Sequence, residues 1–255
     1  MKHDHDTAVG MPERHPAAVR HFPADRLELA DRYADLLCTD GVVRGLIGPR
    51  EAPRIWERHI LNSALMAPAL PRRCTFADIG SGAGLPGLVL AIARPDVAVT
   101  LVEPLLRRTT FLEEAVAALG LDNVRVVRGR ADALHGEQRF DVVTARAVAA
   151  LDRLLEWCLP LVKPSGQLAV LKGESAADEI EVARPTLVRW ACADPQLLEY
   201  ADEDDSVTPA RIVRVTAADP ARVMWPPSGG RAPVRSGRER GGQRATQRGK
   251  SRRKQ

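Results

Sequence analysis

The sequence predicts an α/β fold in which a mostly parallel sheet has helices on both faces, with an antiparallel edge strand and an N-terminal helical segment. After residue 73, short apolar stretches alternate with helical patterns, which is the order of parallel βαβ units. The last two apolar stretches, LLEYAD and ARIVRVTA, have no helical pattern between them, which favours antiparallel pairing. Before residue 73 the apolar spacing is helical.

Boundary residues separate the strands and helices of this alternation. CTFADI is a strand that ends in a glycine loop, and the helix GLVLAIARP ends at Pro95. VAVTLVEP is the second strand, and Gly120 stops the next helix, LLRRTTFLEEAVAALG. VRVVRG and FDVVTARA are the third and fourth strands. LDRLLEWCLPLV is helical, a turn at 164–166 leads into the fifth strand, QLAVLKG, and residues 176–190 are helical.

Composition divides the chain into four segments. Residues 1–22 are polar without periodicity and are predicted to be disordered, and residues 23–72 form the N-terminal helical segment. Residues 73–218 form the α/β domain, and residues 219–255 form a linker and a basic disordered C-terminal tail. From Ser228 onward, ten Arg or Lys and one acidic residue give the tail a charge of +9, whereas the whole chain has +4. A basic tail of this composition can add nonspecific affinity for a nucleic acid through counterion release, and the alternative is a tail that only aids solubility or is incidental.

The composition also excludes several classes of protein. No apolar run approaches the ~20 residues that span a bilayer, although 45% of the residues are hydrophobic. The N-terminus has no apolar stretch and carries acidic residues, unlike a secretory signal. The four cysteines are far apart without a CxxC pair, which argues against a zinc site and a disulfide scaffold. We therefore expect a cytoplasmic protein with no membrane contact and no metal.

The strongest local signal is FADIGSGAGLPG, a glycine loop between the first strand and its helix. Gly80 and Gly82 permit a positive φ and a close approach of the backbone to a ligand. Asp78 precedes them, and its carboxylate suits an ammonium or a hydroxyl group and repels a pyrophosphate. Pro86 removes a backbone donor where a phosphate needs one, and Glu103 ends the second strand, where it can bind a ribose diol. These features favour S-adenosylmethionine as the ligand.

Two alternatives remain open at this point. The glycines also fit the dinucleotide fingerprint of a dehydrogenase, and Glu103 does not separate NAD from S-adenosylmethionine, because both carry a ribose diol. No separate substrate domain with an acid–base residue follows, which disfavours the dehydrogenase. The other alternative is a plain tight turn in which Asp78 is only a capping residue.

Further motifs indicate a family. DIGSGAGLPG is followed by EPLLRRTTFL, RGRAD, VVTARAVA and LAVLKGE, and it is preceded by GLIGPREAPRIWERHILNS. Over about residues 25–218 this combination resembles the bacterial 16S ribosomal RNA guanine-N7 methyltransferases, once called glucose-inhibited division protein B. The resemblance implies a class I methyltransferase (Rossmann-like) fold, S-adenosyl-L-methionine as cofactor, and a guanine of the small-subunit decoding region as substrate. Ser81 and Ala83 depart from the family, which commonly has Thr or Ser and Pro there.

The resemblance also implies the residues of the cofactor site. Gly80 and Leu85 lie in the loop, Glu103 occupies the ribose position, and Ala131 and Asp132 flank the adenine. Together with the residues argued above, the predicted cofactor site consists of Asp78, Gly80, Gly82, Leu85, Glu103, Ala131, Asp132 and Arg146.

By the same resemblance, Arg146 faces the reacting end of the cofactor. We hypothesise that its guanidinium holds the methionine carboxylate or the guanine O6. The alternative is a surface salt bridge with Asp141 or Asp152. Guanine N7 has an in-plane lone pair and no proton, so the chemistry requires positioning and no general base. Arg146 is therefore the one residue assigned to catalysis, as a positioning group.

Arg58, His59, Arg146 and Lys172 are the predicted contacts to 16S rRNA or the small ribosomal subunit. Arg58 and His59 lie on the N-terminal helix and can line the substrate cleft, although His59 suits a packing or capping role equally well. Lys172, in LKG, can touch an RNA phosphate, and the alternative is a solvated lysine. Two rival functions remain: a class I methyltransferase for another RNA, a protein or a small molecule, and an RNA-binding protein that holds the cofactor as a ligand.

Overall fold

Seven strands of one sheet run through the part of the chain that the computed structural model describes, residues 12–222 and Trp225. In chain order, β1 to β7 are Thr75–Ile79, Ala98–Glu103, Val124–Arg128, Phe140–Thr144, Val162–Lys172, Gln196–Tyr200 and Ala210–Thr216. Their order across the sheet is β3-β2-β1-β4-β5-β7-β6. β1 to β5 are parallel, whereas β7 runs antiparallel to both β5 and β6. The predicted fold is confirmed. The strand that runs against its neighbours is β7, which lies next to the edge of the sheet, and β6 forms the edge itself.

Seven α-helices accompany the sheet within these described residues. In chain order, α1 to α7 are Ala18–His21, Leu27–Leu36, Leu61–Ala64, Gly87–Ala93, Leu106–Leu119, Leu151–Cys158 and Ala176–Arg189. Short 3₁₀ segments are Ala24–Arg26, Ala52–Arg54, Ala67–Ala69, Ala131–Leu134 and Leu159–Leu161, and π-helical turns are Leu37–Gly41 and Trp56–Ile60. Gly120 ends α5 in the left-handed conformation, as the sequence predicts.

The turn predicted at 164–166 is a bulge inside β5. Pairing with β4 shifts from Val162 opposite Phe140 to Gln167 opposite Val142, so the residues between them have no partner in β4. A Cβ on Gly166 would lie 2.6 Å from the Asp141 carbonyl oxygen, which explains the glycine in the bulge.

Part of the N-terminal tail is ordered, contrary to the prediction from the sequence. Residues 12–22 are folded, so the prediction of disorder over 1–22 is wrong for this part, and residues 1–11 lie outside the described residues. Ala17, Ala18 and Phe22 are buried, and Asp202 pairs with both Arg20 and His21. The sequence did not predict this order, because the segment has too few apolar residues to show a periodic pattern. Its ion-pair partner, Asp202, is also far along the chain. Trp225 is likewise buried, with its indole Nε1 donating to the Trp190 carbonyl at 2.7 Å, while residues 226–255 lie outside the description.

The N-terminal helices share one hydrophobic core with the sheet. α2 packs against α4 and α5, and α3 packs against α4. Tyr33, Leu37, Ile60 and Leu61 are completely buried in this core, and each such burial contributes roughly 1.5–3 kcal/mol. α4 is buried all round because it lies between the sheet and these helices. No helix in the described part of the chain is long and apolar enough to cross a bilayer.

The carboxyl ends of the parallel strands bring the predicted site residues to one edge of the sheet. Asp78 lies at the end of β1, the glycine loop follows this strand, and Glu103 ends β2. The 3₁₀ turn at Ala131–Leu134 follows β3, Arg146 follows β4, and Lys172 ends β5. An open α/β sheet binds its ligands at this edge.

Gly87 is a point at which this packing leaves no space. A Cβ at this position would lie 2.8 Å from Asp78 Oδ2 and would overlap the Leu101 side chain. We expect Gly87→Ala to lower the free energy of unfolding by about 1–3 kcal/mol, because overpacking forces the strand and helix apart. Gly48→Ala is the matched control, since its Cβ would meet only Glu51 Cγ at 3.8 Å. Urea denaturation measures both variants, and equal stability of the two would contradict the argument.

Candidate active site

The glycine loop takes backbone conformations that side chains disfavour. Gly80, Gly82 and Gly84 have φ angles of 73°, 57° and 96°. The backbone N–H groups of Gly80 and Ser81 both donate to the Val102 carbonyl, at 2.8 and 3.2 Å, so the loop folds back over β2. The predicted turn is therefore present, and at Gly80 no side chain separates its backbone from a ligand.

Asp78 lies at the end of β1 and is fully buried. Its Oδ2 accepts a hydrogen bond from Gly87 N at 3.0 Å, and Oδ1 has no partner. Burial raises the pKa of the carboxyl to about 7, and the Gly87 hydrogen bond opposes this rise. The carboxylate occupies the first N–H of α4, where a pyrophosphate would otherwise bind. The structure thus agrees with the argument against a dinucleotide, and the unpaired Oδ1 fits a cationic ligand group.

A pocket of about 360 Å³ opens beside the glycine loop, within the size range of ligand sites. Three predicted cofactor residues, Gly80, Ala131 and Asp132, line this pocket. Val148 and Trp157 also line it, and the half-exposed Trp157 ring carries the Arg153 guanidinium 5.6 Å from its centroid. Backbone, apolar and aromatic surfaces of this kind fit a nucleoside.

Glu103, Gly82 and Leu85 do not line that pocket. The Glu103 carboxylate is 1% exposed, accepting from Gly82 N and Leu105 N at 3.1 Å each, with Arg108 Nη1 at 3.6 Å. Each carboxylate oxygen retains a second lone pair, so the ribose contact of Glu103 stays a prediction. Leu85 packs partly buried against the core, and its contact to the cofactor also stays a prediction.

A larger cleft of about 760 Å³ lies on the other side of the loop that follows β4. All four residues predicted to contact RNA, Arg58, His59, Arg146 and Lys172, line this cleft. The four residues therefore lie on one surface, although they come from an N-terminal π-helical turn, the loop after β4 and the end of β5.

Arg146 forms its contacts with the N-terminal segment. Its Nη1 donates to Ser63 Oγ at 3.0 Å, and its Nη2 donates to the Arg58 carbonyl at 3.0 Å and to His59 Nδ1 at 3.2 Å. The widened turn at Trp56–Ile60 makes the Arg58 carbonyl accessible to a side chain, and π-helical turns frequently mark functional sites. Burial lowers the pKa of Arg146, whereas the neighbouring Tyr33 and Asp78 raise it.

The alternative role of Arg146 as a surface ion pair is wrong. Asp141 instead accepts from Thr75 and pairs with Lys163 at 2.9 Å, at the opposite edge of the sheet. Asp152 forms no ion pair with Arg146 in the described part of the chain. Arg146 is partly buried because it reaches into the protein toward the N-terminal helices.

His59 is held between two charged groups. Its Nε2 lies 3.0 Å from Glu51 Oε2, and its Nδ1 accepts from Arg146. Burial and the Arg146 charge lower the pKa of His59, and Glu51 opposes this effect. The hydrogen bond to His59 in turn lowers the pKa of Glu51. A neutral His59 with its proton on Nε2 satisfies both contacts, so the Glu51 carboxylate sets the tautomer that supports Arg146.

Lys172 lies in the cleft wall but is not a free cation. Its Nζ donates to the Ala149 carbonyl at 2.8 Å and to Glu179 Oε2 at 2.7 Å, and its side chain is 8% exposed. The contact of Lys172 with an RNA phosphate stays a prediction. In the structure, the Lys172 ammonium is bound by two groups of the protein itself.

Sequence reasoning missed several residues that complete the site. The buried Tyr33 hydroxyl donates to the Ala83 carbonyl at 2.8 Å and thereby supports the glycine loop. Glu51 contacts His59, Glu179 contacts Lys172, and Val148 lines the pocket beside the glycine loop. Tyr33 and Ala83 are 50 residues apart in the chain. The Glu51–His59 and Lys172–Glu179 pairs are only eight and seven residues apart, but neither has the three- or four-residue spacing of neighbours on a helix surface. Trp157 could have been found from the sequence, because an aromatic residue on the polar face of a predicted helix is a candidate for ligand contact.

Metal ligands do not explain the site. No group of three or more His, Cys, Asp or Glu side chains within the described ranges could hold a metal ion. The fit to S-adenosylmethionine rests instead on the unpaired Asp78 Oδ1, the backbone surface at Gly80 and the pocket beside Ala131.

Comparison with known proteins places the chain in a family. The family described as rRNA small subunit methyltransferase G (GidB) matches residues 26–195. A ribosomal RNA small subunit methyltransferase G of Nocardioides sp. is 58% identical over 238 residues, covering 93% of this chain and 92% of the relative. The protein of that name from Thermobifida fusca is 49% identical over 229 residues, covering 89% and 94%.

A solved structure supports the fold. The mitomycin 7-O-methyltransferase matches with a TM-score of 0.50 at 19% identity, covering 73% of this chain and 60% of that one. The predicted class I methyltransferase fold and the use of S-adenosylmethionine are thereby confirmed together with the family. The chain belongs to the rRNA small subunit methyltransferase G family, as its motifs predict.

Proposed function

We propose that the protein transfers the methyl group of S-adenosylmethionine to N7 of a guanine in the decoding region of small-subunit (16S) ribosomal RNA. The main support for this proposal is that the pocket beside the glycine loop and the larger cleft share one wall, the loop that contains Val148. The names of the relatives support ribosomal RNA as the acceptor. The reaction then belongs in the cytoplasm, with the RNA or the small subunit as partner.

The acceptor chemistry determines what the protein has to do. When bound, S-adenosylmethionine supplies an electrophilic methyl group on a sulfonium. With the cofactor bound, the guanine N7 lone pair would form a bond to the methyl carbon as the carbon–sulfur bond breaks, which would leave a cationic N7-methylguanine and S-adenosylhomocysteine. N7 carries no proton, so no side chain has to remove one. The protein's contribution is to hold the two reactants in line and to exclude competing geometries.

Arg146 has donors left for this purpose. A guanidinium carries five N–H groups, and the contacts to Ser63, Arg58 and His59 occupy three of them. The remaining donors can hold the methionine carboxylate or the guanine O6. The neutral His59, oriented by Glu51, keeps the guanidinium plane fixed because its Nδ1 accepts from Nη2.

Other residues would hold the cofactor. Asp78, when ionised, provides an acceptor for the methionine ammonium, and Glu103 provides acceptors for the ribose. Gly80, Ala131 and Asp132 provide the surface against the adenine. Each of these assignments concerns one part of the cofactor, so each can be tested separately.

The proposal is tested by mapping N7-methylguanine in small-subunit RNA that lacks the modification. We expect purified protein and S-adenosylmethionine to methylate one decoding-region guanine, in either the naked RNA or the subunit. Chemical cleavage at N7-methylguanine followed by primer extension locates the base. Methylation of a different atom, a different RNA or only a small molecule would contradict the proposal.

Arg146→Lys tests the positioning role. Lysine retains the charge but cannot reproduce three contacts in one plane, so the remaining donors lose their direction. We expect kcat to fall on the order of 10- to 100-fold with the thermal stability little changed. Arg184→Lys, at an exposed arginine that pairs with Glu181 in solvent, is the matched control. Full turnover and full cofactor affinity in Arg146→Lys would show that the assignment is wrong.

Asp78 predicts a pH dependence of cofactor binding. Its pKa of about 7 means that the ionised fraction falls as the pH drops through 7. Affinity for S-adenosylhomocysteine, measured by calorimetry, should therefore fall about tenfold between pH 8 and pH 6. Asp78→Asn should bind more weakly at pH 8 and lose this additional dependence. The ligand's own ammonium titrates identically with both proteins, so the difference between the two profiles isolates Asp78.

The same variant has a stability control. Burial raises the pKa of Asp78 from 3.8 to about 7 in the folded state, so the stability of the fold falls as the pH rises from 3.8 to about 7, and the loss is complete above pH 7. Asp78→Asn removes that charge and keeps an oxygen for Gly87 N. We therefore expect its stability at pH 8 to equal or exceed that of the wild type, and parallel pH profiles of the two proteins would contradict the role of Asp78.

A further inference from the structure

The loop between β4 and α6, residues 146–150, forms the wall between the two cavities. Val148 lines both the pocket beside the glycine loop and the larger cleft. Its Cγ2 lies 2.8 Å from the position that a Cβ on Gly80 would take, so this loop touches the glycine loop directly. Ala147 has a φ of 54°, a conformation that a residue with a Cβ rarely adopts. A loop in this conformation needs support from its surroundings.

One ion pair provides that support from outside the loop. Lys172 Nζ donates to the Ala149 carbonyl at 2.8 Å, and Glu179 Oε2 accepts from Leu151 N at 2.9 Å. Lys172 and Glu179 pair with each other at 2.7 Å. The two charged groups therefore hold one carbonyl and one N–H at the far end of the loop. We refer to Lys172 and Glu179 as the loop clamp.

The clamp is built into the fold. Lys172 ends β5, Glu179 lies in the first turn of α7, and Leu151 begins α6. The Lys172 side chain is 8% exposed and that of Glu179 is 24% exposed, so solvent screens the pair weakly. A carboxylate on the first N–H of α6 also agrees with the direction of the helix dipole. Hydrogen bonds between charged groups at these distances are the strong ones.

We propose that Lys172 and Glu179 are positioning residues for methyl transfer, and that Lys172 acts through the loop wall instead of through an RNA phosphate. This inference rests on the proposed function, because it concerns the passage between the two cavities. The acceptor base and the methyl group have to meet beside Val148. A displacement of the wall by about 1 Å is enough to lower the rate on the order of 100-fold.

A double-mutant cycle tests the clamp. The variants are Lys172→Met, which keeps the aliphatic stem, Glu179→Ala, and the two combined. We expect each single variant to lower kcat on the order of 10- to 100-fold, and the double variant to be no worse than either, because both changes release the same loop. KM for RNA and its salt dependence should stay unchanged. Lys172→Arg, which preserves both contacts in principle, should restore most of the rate.

Glu181→Ala is the matched control. Glu181 lies on the same helix, two residues from Glu179, and pairs with Arg184 in solvent. Removing it changes the net charge by the same amount and should leave kcat unchanged. Thermal unfolding is measured for every variant. If Lys172→Met does not fold, Glu179→Ala beside Glu181→Ala carries the test, because it removes both the acceptor of Leu151 N and the partner of Lys172.

The opposite result has a distinct signature. A lysine that contacts RNA phosphate would, when replaced, raise KM for RNA and reduce the salt slope by about one phosphate contact. Glu179→Ala would then leave kcat unchanged, or would tighten RNA binding by removing a negative charge. That combination would overturn the clamp.

Failure of the proposed function would look different again. Wild-type protein would then leave small-subunit RNA unmethylated in every form tested. Binding of S-adenosylhomocysteine still tests the clamp in that case, because the wall contacts the glycine loop at Gly80. We expect both single variants to weaken this binding by a similar factor, with Glu181→Ala unchanged. Unchanged binding in Lys172→Met and Glu179→Ala would overturn the clamp independently of the acceptor.

Discussion

The buried carboxylate of Asp78 is the constraint on which the ligand-binding edge depends. It accepts the first N–H of α4, so the chain must return directly over the end of β1. Gly87 is needed there because any side chain would overlap Asp78 and Leu101. The carboxylate also occupies the position in which a helix N-terminus would bind a phosphate, which turns the loop toward a cationic group. Burial raises the pKa of Asp78 to about 7, which expresses the cost of keeping this charge away from water.

A second interaction joins the N-terminal helices to the sheet. Arg146 leaves the end of β4 and is bound by Ser63, the Arg58 carbonyl and His59. The π-helical turn at Trp56–Ile60 presents these groups. The N-terminal segment therefore contributes to the site mainly as a cradle for one arginine, and the loop that begins at Arg146 separates the two cavities. The pocket beside the glycine loop, the cleft lined by Arg146 and the N-terminal helices thus meet at this loop.

Most of the fold was predictable because its signals are local. Strand boundaries near Ile79 and Glu103 agree with the structure, as does the left-handed stop at Gly120. Alternating apolar and helical stretches of the expected length suffice for this. The folded arm at residues 12–22 was not predictable in the same way, because its order depends on burial of Phe22 and on pairing with Asp202, far along the chain.

The sequence by itself determined the alternation of strands and helices, the glycine loop with Asp78 and the family motifs, and it predicted four residues that the structure brings to one cleft. Only the tertiary structure decided what those residues touch. His59 supports Arg146 with Glu51 as its partner, and Lys172 pairs with Glu179. The physical reason is that a charged side chain takes the partner that folding brings within hydrogen-bond distance. Spacing along the chain indicates periodicity and turns, but it does not show which of several carboxylates lies beside a given lysine or histidine, even where the partners are only seven or eight residues apart.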